Sequence, residues 1–184
     1  MRDERERALD AWLAAAARSG DREALGKLAG RWHDKLLRHA WRLTGDADLA
    51  ADATQEAWTD ILRGLHRLED TGAFAAWAFR ITSRRCQRNL ARRQRRSRSE
   101  AATAQEVPQV TQVDAQANHS DAETVRAAMA QLPPKQRAAL GLFYLEGLRV
   151  AEIAIALDTA PGTIKTRLMH ARRKLHAQLE GEQS

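Results

Sequence analysis

Chemistry in this chain is concentrated in basic side chains, and these fall into two blocks. Arg80, Arg84, Arg85, Arg88, Arg92, Arg93, Arg95, Arg96 and Arg98 lie between Phe79 and Ser99, and residues 71–98 contain no acidic residue. Lys165, Arg167, Arg172, Arg173 and Lys174 form the second block, and acids are absent from Thr159 to Leu179. Guanidinium and ammonium groups in such blocks recognise rather than react. A polyanion held by both would release counterions from each, making binding steeply salt-dependent. Phe74 and Trp77 stand just upstream of the first block. Aromatic rings beside arginines are what holding a single strand or an unpaired base requires, although tryptophan at helical spacing also serves as core.

Catalytic and metal chemistry have little to build on. His33, His39, His66, His119, His170 and His176 form no ligand-spaced pair with a nearby carboxylate, and there is no glycine-rich phosphate loop. No cofactor, metal or enzymatic activity is expected. The single cysteine, Cys86, excludes an internal disulfide and reads as a small helix residue.

The second basic block lies on the later part of a helix-turn-helix pattern spanning Leu148 to Leu179. Val150, Ile153, Ala154 and Leu157 form one apolar stripe, and Asp158-Thr159-Ala160-Pro161-Gly162 interrupts it. Thr159 is expected to cap the next helix, and Pro161 suits its first turn. That helix buries Ile164, Leu168, Leu175 and Leu179, leaving Thr163, Lys165, Thr166, Met169, His170, Arg172 and Arg173 on the remaining surface. A helix with such a face can enter a major groove, its first residues reaching base edges and its later arginines reaching phosphates.

The first block closes a run of four expected helices. The first covers about Arg5 to Arg18. The second follows a cap at Asp21 and stops at Gly45, with Leu25, Leu28, Trp32, Leu36, Ala40 and Leu43 at steps of three and four. The third starts at Asp46 or Asp48 and turns Ala53, Ala57, Trp58, Ile61, Leu62 and Leu65 inward. After a loop at Leu68-Glu69-Asp70-Thr71-Gly72, the fourth begins near Ala73. Residues 97–120, rich in Ala, Gln, Ser and Thr, read as a flexible linker. Periodicity resumes at Asp121 with Val125, Ala128, Met129 and Leu132, and Pro133-Pro134 separates that helix from KQRAALGLFYLEG.

The expected fold is therefore all-α: a four-helix bundle over 1–96, the linker, and a helix-turn-helix domain over 121–184. No run of apolar residues reaches membrane-spanning length and no leader is evident, so the expected site is the cytoplasm, without membrane insertion. Acidic membranes attract the same charge, but the arginine helix lacks an apolar face broad enough for an interfacial anchor.

With both blocks in view the chain resembles the extracytoplasmic-function sigma factors of bacterial RNA polymerase. SGDREAL, WHDKLLRHAWRLTGD, DATQEAW and GAFAAWAFRIT followed by arginines are similar to region 2 of that family. QLPPKQRAALGLFYLEGL, VAEIA and PGTIKTRLMHARRKL are similar to region 4. The resemblance implies a promoter-specificity subunit with three sets of contacts. Asp52, Gln55 and Glu56 would dock on the clamp coiled coil of core RNA polymerase. Leu68, Glu69, Asp70, Thr71 and Gly72, with Trp77, Arg80, Arg84, Arg85 and Arg88, would capture and hold the promoter −10 element. Thr163, Lys165, Thr166, Met169, His170 and Arg173 would read the −35 element. Leu132, Leu140, Leu142 and Tyr144 would line a groove for the polymerase flap. The linker would thread toward the polymerase cleft, and the free monomer would be held by an anti-sigma factor.

Four positions depart from the family pattern. Arg84 and Arg88 replace a frequent asparagine and aspartate, Leu68 replaces an aromatic, and Phe143 stands where an arginine is common. A dimeric helix-turn-helix regulator working without polymerase explains residues 121–184 but gives the arginine helix and DATQEAW no purpose. An enzyme acting on nucleic acid is the remaining reading, and it lacks a ligand set.

Overall fold

The structure is a computed structural model describing residues 4–101 and 121–181, and every regular element among them is helical. Helix α1 spans Glu4–Arg18, α2 Arg22–Thr44, α3 Ala47–Gly64 and α4 Phe74–Ala101. After the segment 102–120, which lies outside the described residues, come α5 (Asp121–Ala130), α6 (Pro134–Tyr144), α7 (Val150–Ala156) and α8 (Pro161–Gly181). The fourth helix thus runs through 97–101, which the sequence assigns to the linker. Arginine-rich sequence without Pro or Gly carries no stop signal there, so the helix outlasts its apolar face.

Local chemistry accounts for most boundaries. The Asp21 carboxylate accepts from Glu23 N (2.8 Å) and Ala24 N (3.0 Å), and Asp46 Oδ1 accepts from Leu49 N (3.0 Å). Gly45 ends α2 at φ +69°, a left-handed cap that a side chain would strain. The helix-turn-helix differs in one detail: Ala160, not Thr159, immediately precedes Pro161 at the start of α8. Thr159 lies one residue too early to cap.

Leu28, Trp32, Leu36, Ile61, Phe74 and Phe79 form the centre of the first bundle, with Trp32 edge-on to both phenylalanines at 5.2 and 5.4 Å. Leu62 and Val125, expected inside, are exposed. The buried Cys86 thiol is pushed up to about 12 by desolvation, which leaves it an inert thiol.

The same core continues into the helix-turn-helix domain through Ala138, Leu142, Leu148, Ile153 and Ile164. Helix α6 packs on α2, and α7 packs on α4. Leu132, Leu140 and Leu142, expected around the flap groove, are buried. Of that group only Tyr144 is exposed. Their inward direction follows from the packing of α6 between α2 and α8.

Candidate nucleic-acid interface

Helix α8 presents the first candidate surface. Ile164, Leu168 and Ala171 anchor it inward, which turns Thr163, Lys165, Thr166, Met169 and Arg173 outward, with His170 half-buried among them. These are the six residues that the sequence assigns to one reading face, and the helix brings them together. The Thr166 hydroxyl donates to Gly162 O at 3.1 Å, an internal bond that costs it no access to solvent. Arg172 belongs to a different group: its guanidinium lies over Phe143 and Tyr144 at 5.4 and 5.5 Å, and Nε donates to Tyr144 Oη at 2.8 Å. It fastens α8 to α6.

The arginines of α4 divide by the helix face they occupy. Arg85 turns toward α3, where Nε and Nη2 each donate to Asp60 at 2.6 Å and Nη1 donates to Glu56 at 2.9 Å. The hydrogen bonds it donates to Asp60, followed by the one it donates to Glu56, hold its pKa above the ordinary arginine value. Arg93 pairs with Asp46, and Arg92 approaches Glu56 at 3.7 Å. Arg88 is exposed. Arg80 and Arg84 turn the opposite way, and both meet Asp158 in the turn between α7 and α8: Arg80 Nη2 donates to Oδ1 at 3.0 Å and Arg84 Nη2 to Oδ2 at 3.1 Å. Hydrogen bonding from Arg84, then the charge of Arg80, holds the Asp158 carboxyl below the usual carboxylate range.

The loop before α4 is tightly fixed. Asp70 Oδ1 accepts from Gly72 N at 2.8 Å, and Arg18 Nη1 donates to Leu68 O at 2.8 Å and Glu69 O at 3.1 Å. Leu68, expected with the −10 set, is buried in the first core: the loop bends it inward while Glu69 and Asp70 remain exposed. Trp77 is half-buried, 6.0 Å from Phe74, and packed so closely on Gly64 that a Cβ there would lie 3.0 Å from its ring. The indole thus belongs partly to the core and partly to the surface. Arg18, the clamp on this loop, carries no motif by which the sequence alone would single it out.

On α3, Asp52 and Gln55 are exposed, while Glu56 is half-buried and engaged by Arg85. Asp52 and Glu56, with Asp46, Asn89, Arg92 and Arg93, border a polar groove of about 460 Å³. Among the described residues there is no cluster of His, Cys, Asp or Glu able to hold a metal ion, and no helix long and apolar enough to cross a membrane.

Family models described as Sigma-70 region 2 and Sigma-70, region 4 match residues 28–96 and 122–175. The ECF RNA polymerase sigma factor SigM of Mycobacterium tuberculosis is 34% identical over 166 residues, covering 90% of this chain and 82% of that protein. The RNA polymerase sigma-H factor of Pseudomonas aeruginosa is 28% identical over 181 residues, covering 93% and 94%. Among solved structures, CnrH in complex with the cytosolic domain of CnrY superposes with a TM-score of 0.64 at 25% identity over 94% of this chain and 98% of that one. The sigma factor RpoE in complex with the anti-sigma factor NepR, from Bartonella quintana, gives 0.69 at 23% identity over 85% and 96%, a likeness of fold.

Proposed function

The chain belongs to the extracytoplasmic-function sigma factors of bacterial RNA polymerase, and from that membership we propose how its surfaces divide the work of promoter recognition. It directs core polymerase to promoters and assists their opening. Helix α8 reads the −35 element through Thr163, Lys165, Thr166, Met169, His170 and Arg173. Glu69 to Gly72, Trp77, Arg80, Arg84 and Arg88 take the −10 element. Asp52 and Gln55, with Glu56 beside them, dock on a basic surface of the polymerase clamp. Unstacking a base costs only a few kcal/mol, which capture of that base and phosphate contacts can supply, so no catalytic group is required of this chain. It acts in the cytoplasm with core polymerase, and an anti-sigma factor is its regulatory partner, as the complexes of its structural relatives suggest.

One observation carries this reading: two separate basic faces, on α4 and α8, are built into one chain, next to an acidic face on α3. A duplex-binding repressor needs only the α8 face. The test is run-off transcription with purified core polymerase on promoter fragments, with and without the chain. Promoter-dependent product is expected only when the chain is present. Absence of product together with absence of core binding would overturn the reading.

A further inference from the structure

The loop between α3 and α4 does not stand alone, because α1 packs against both single turns that flank it, Leu65–Arg67 and Thr71–Ala73. We propose that α1 is the bed on which this loop is preformed, with Arg18 as the positioning residue that fixes its backbone before DNA arrives; the role rests on the assignment of Glu69 to Gly72 to the −10 base.

Arg18 closes α1. Gly20 follows at φ +100°, so the chain turns away at once and leaves the arginine stem free to reach sideways from the last helical turn. One nitrogen, Nη1, donates to both Leu68 O at 2.8 Å and Glu69 O at 3.1 Å. These are consecutive carbonyls on a surface turn, where neither a helix nor a sheet supplies a donor. A charged donor shared between them ties down the backbone on both sides of Glu69. It also covers two acceptors. A nucleic-acid strand reaching the loop meets a guanidinium there instead of two bare carbonyl dipoles.

The remainder of the loop is fastened as firmly. Leu68 is anchored in the core, its N–H donates to Leu65 O at 3.1 Å, and Ala73 N donates to Asp70 O at 3.1 Å. Between these points the Asp70 carboxylate accepts from Gly72 N, and a Cβ on Gly72 would lie 3.0 Å from that same carboxylate oxygen. Thr71 and Gly72 share with Asp10 and Ala11 of α1 a gap of only about 10 Å³, room for a single water at most. Helix α1 is itself fixed at this level: Leu13 and Ala14 are buried, and the buried Asp10 carboxylate accepts from Arg31 Nε of α2 at 2.8 Å. Core, α2, α1 and loop therefore form one series of contacts that ends at the residues assigned to the base. A loop ordered only on binding subtracts its conformational entropy from the interaction. A loop already ordered leaves that energy for opening the duplex.

Full-length Arg18→Ala, Arg18→Lys and Glu69→Ala, each assembled with core polymerase on a promoter fragment that yields run-off product, are compared with wild type. Closed complexes are measured by footprinting in the cold, and open complexes by permanganate reactivity of −10 thymines. Arg18→Ala is expected to leave closed-complex affinity and its salt slope unchanged and to lower the opening equilibrium about tenfold, the order of a lost hydrogen bond to a charged group. Arg18→Lys, whose ammonium also offers several donors, should restore most of the loss. In the free chain, the amides of Leu68, Gly72 and Ala73 in Arg18→Ala should exchange about tenfold faster by NMR, while those in the middle of α2 keep their rates. Weaker closed complexes with a shallower salt slope would overturn the positioning role by making Arg18 a simple phosphate contact. Impaired opening without faster exchange would overturn it too, since the loop would then hold its shape without the arginine. Normal opening in Arg18→Ala with impaired opening in Glu69→Ala removes Arg18 alone; normal opening in all three removes the loop from the −10 base and the role of Arg18 with it. Should Arg18→Ala destabilise the bundle, Arg18→Gln, neutral and shorter, decides by the same measurements.

Discussion

Each arginine of α4 is given its work by the side chains facing it. Arg85 is held by two carboxylates of α3, whereas Arg88, one turn fraction further on, faces solvent. Arg85→Ala should lower stability by about 1–2 kcal/mol, a shift of a few degrees in Tm, by leaving Asp60 and Glu56 without their partner. Arg88→Ala should leave Tm unchanged and weaken single-strand binding, with the salt slope reduced by about one. Thermal unfolding and a salt titration of both variants separate the two roles. His39 gives a second prediction. Its Nε2 lies 2.9 Å from Ser83 Oγ, which itself donates to Phe79 O, so the imidazole is the donor. Burial, then the charge of Arg42, lowers its pKa to about 3. The unfolded chain protonates this group near pH 6.5 and the folded chain does not, so its contribution to stability is full above that value and shrinks as pH falls toward 3. Between pH 6.5 and 5 the slope should approach about 1.4 kcal/mol per unit. His39→Gln should show a flatter slope over that window in denaturant titrations. Neither pairing can be read from sequence. Arg85 and Arg88 are both arginines in an arginine run, and Leu68 and Leu62 are both leucines beside polar residues. Which of them turns inward depends on how distant helices pack.

At the scale of elements the sequence was far more readable, because caps and stripes act over one turn. Asp21, Gly45 and Asp46 announce the ends of α2 and α3 by chemistry that involves only their neighbours. The stripe of Ile164 and Leu168 fixes the inward side of α8, and with it the outward set from Thr163 to Arg173. Lys165→Ala and His170→Ala should each weaken binding to a −35 duplex, by a cost of about 1–3 kcal/mol for a base contact and less for a phosphate contact. Footprinting of holoenzyme on closed complexes is the check. Helix α3 carries its own prediction. Asp52→Ala combined with Gln55→Ala should reduce affinity for core polymerase without changing Tm, since both are exposed, and core-binding titrations alongside thermal unfolding would show it. Glu56→Ala should lower both, because it also releases Arg85. Helix α4 outlasts its apolar face for a reason of the same kind: composition marks where a core face stops, but a charged helix can continue in water beyond it.

The arrangement of the whole molecule was the least legible. Arg42 with Glu146, Arg7 with Glu152, and Arg80 and Arg84 with Asp158 join residues from opposite halves of the chain, and no spacing rule connects them. Read alone, each was an ordinary charged residue. Together they bring the two domains onto one continuous core. A mid-helix glycine under an arginine stem and an aspartate in a left-handed turn make sense only in the assembled chain. The position of Asp158 also gives the protein a history during its own synthesis. Arg80 and Arg84 leave the ribosome first, and the residue that covers them follows roughly 4–15 s later at a translation rate of about 5–20 residues per second. For that interval Arg80 and Arg84 lack their carboxylate partner, while Arg85 and Arg93 already have theirs on the earlier part of the chain. Translation that stalls between the two segments would leave those two guanidinium groups uncompensated, so completing the polypeptide is itself the event that neutralises this end of the helix.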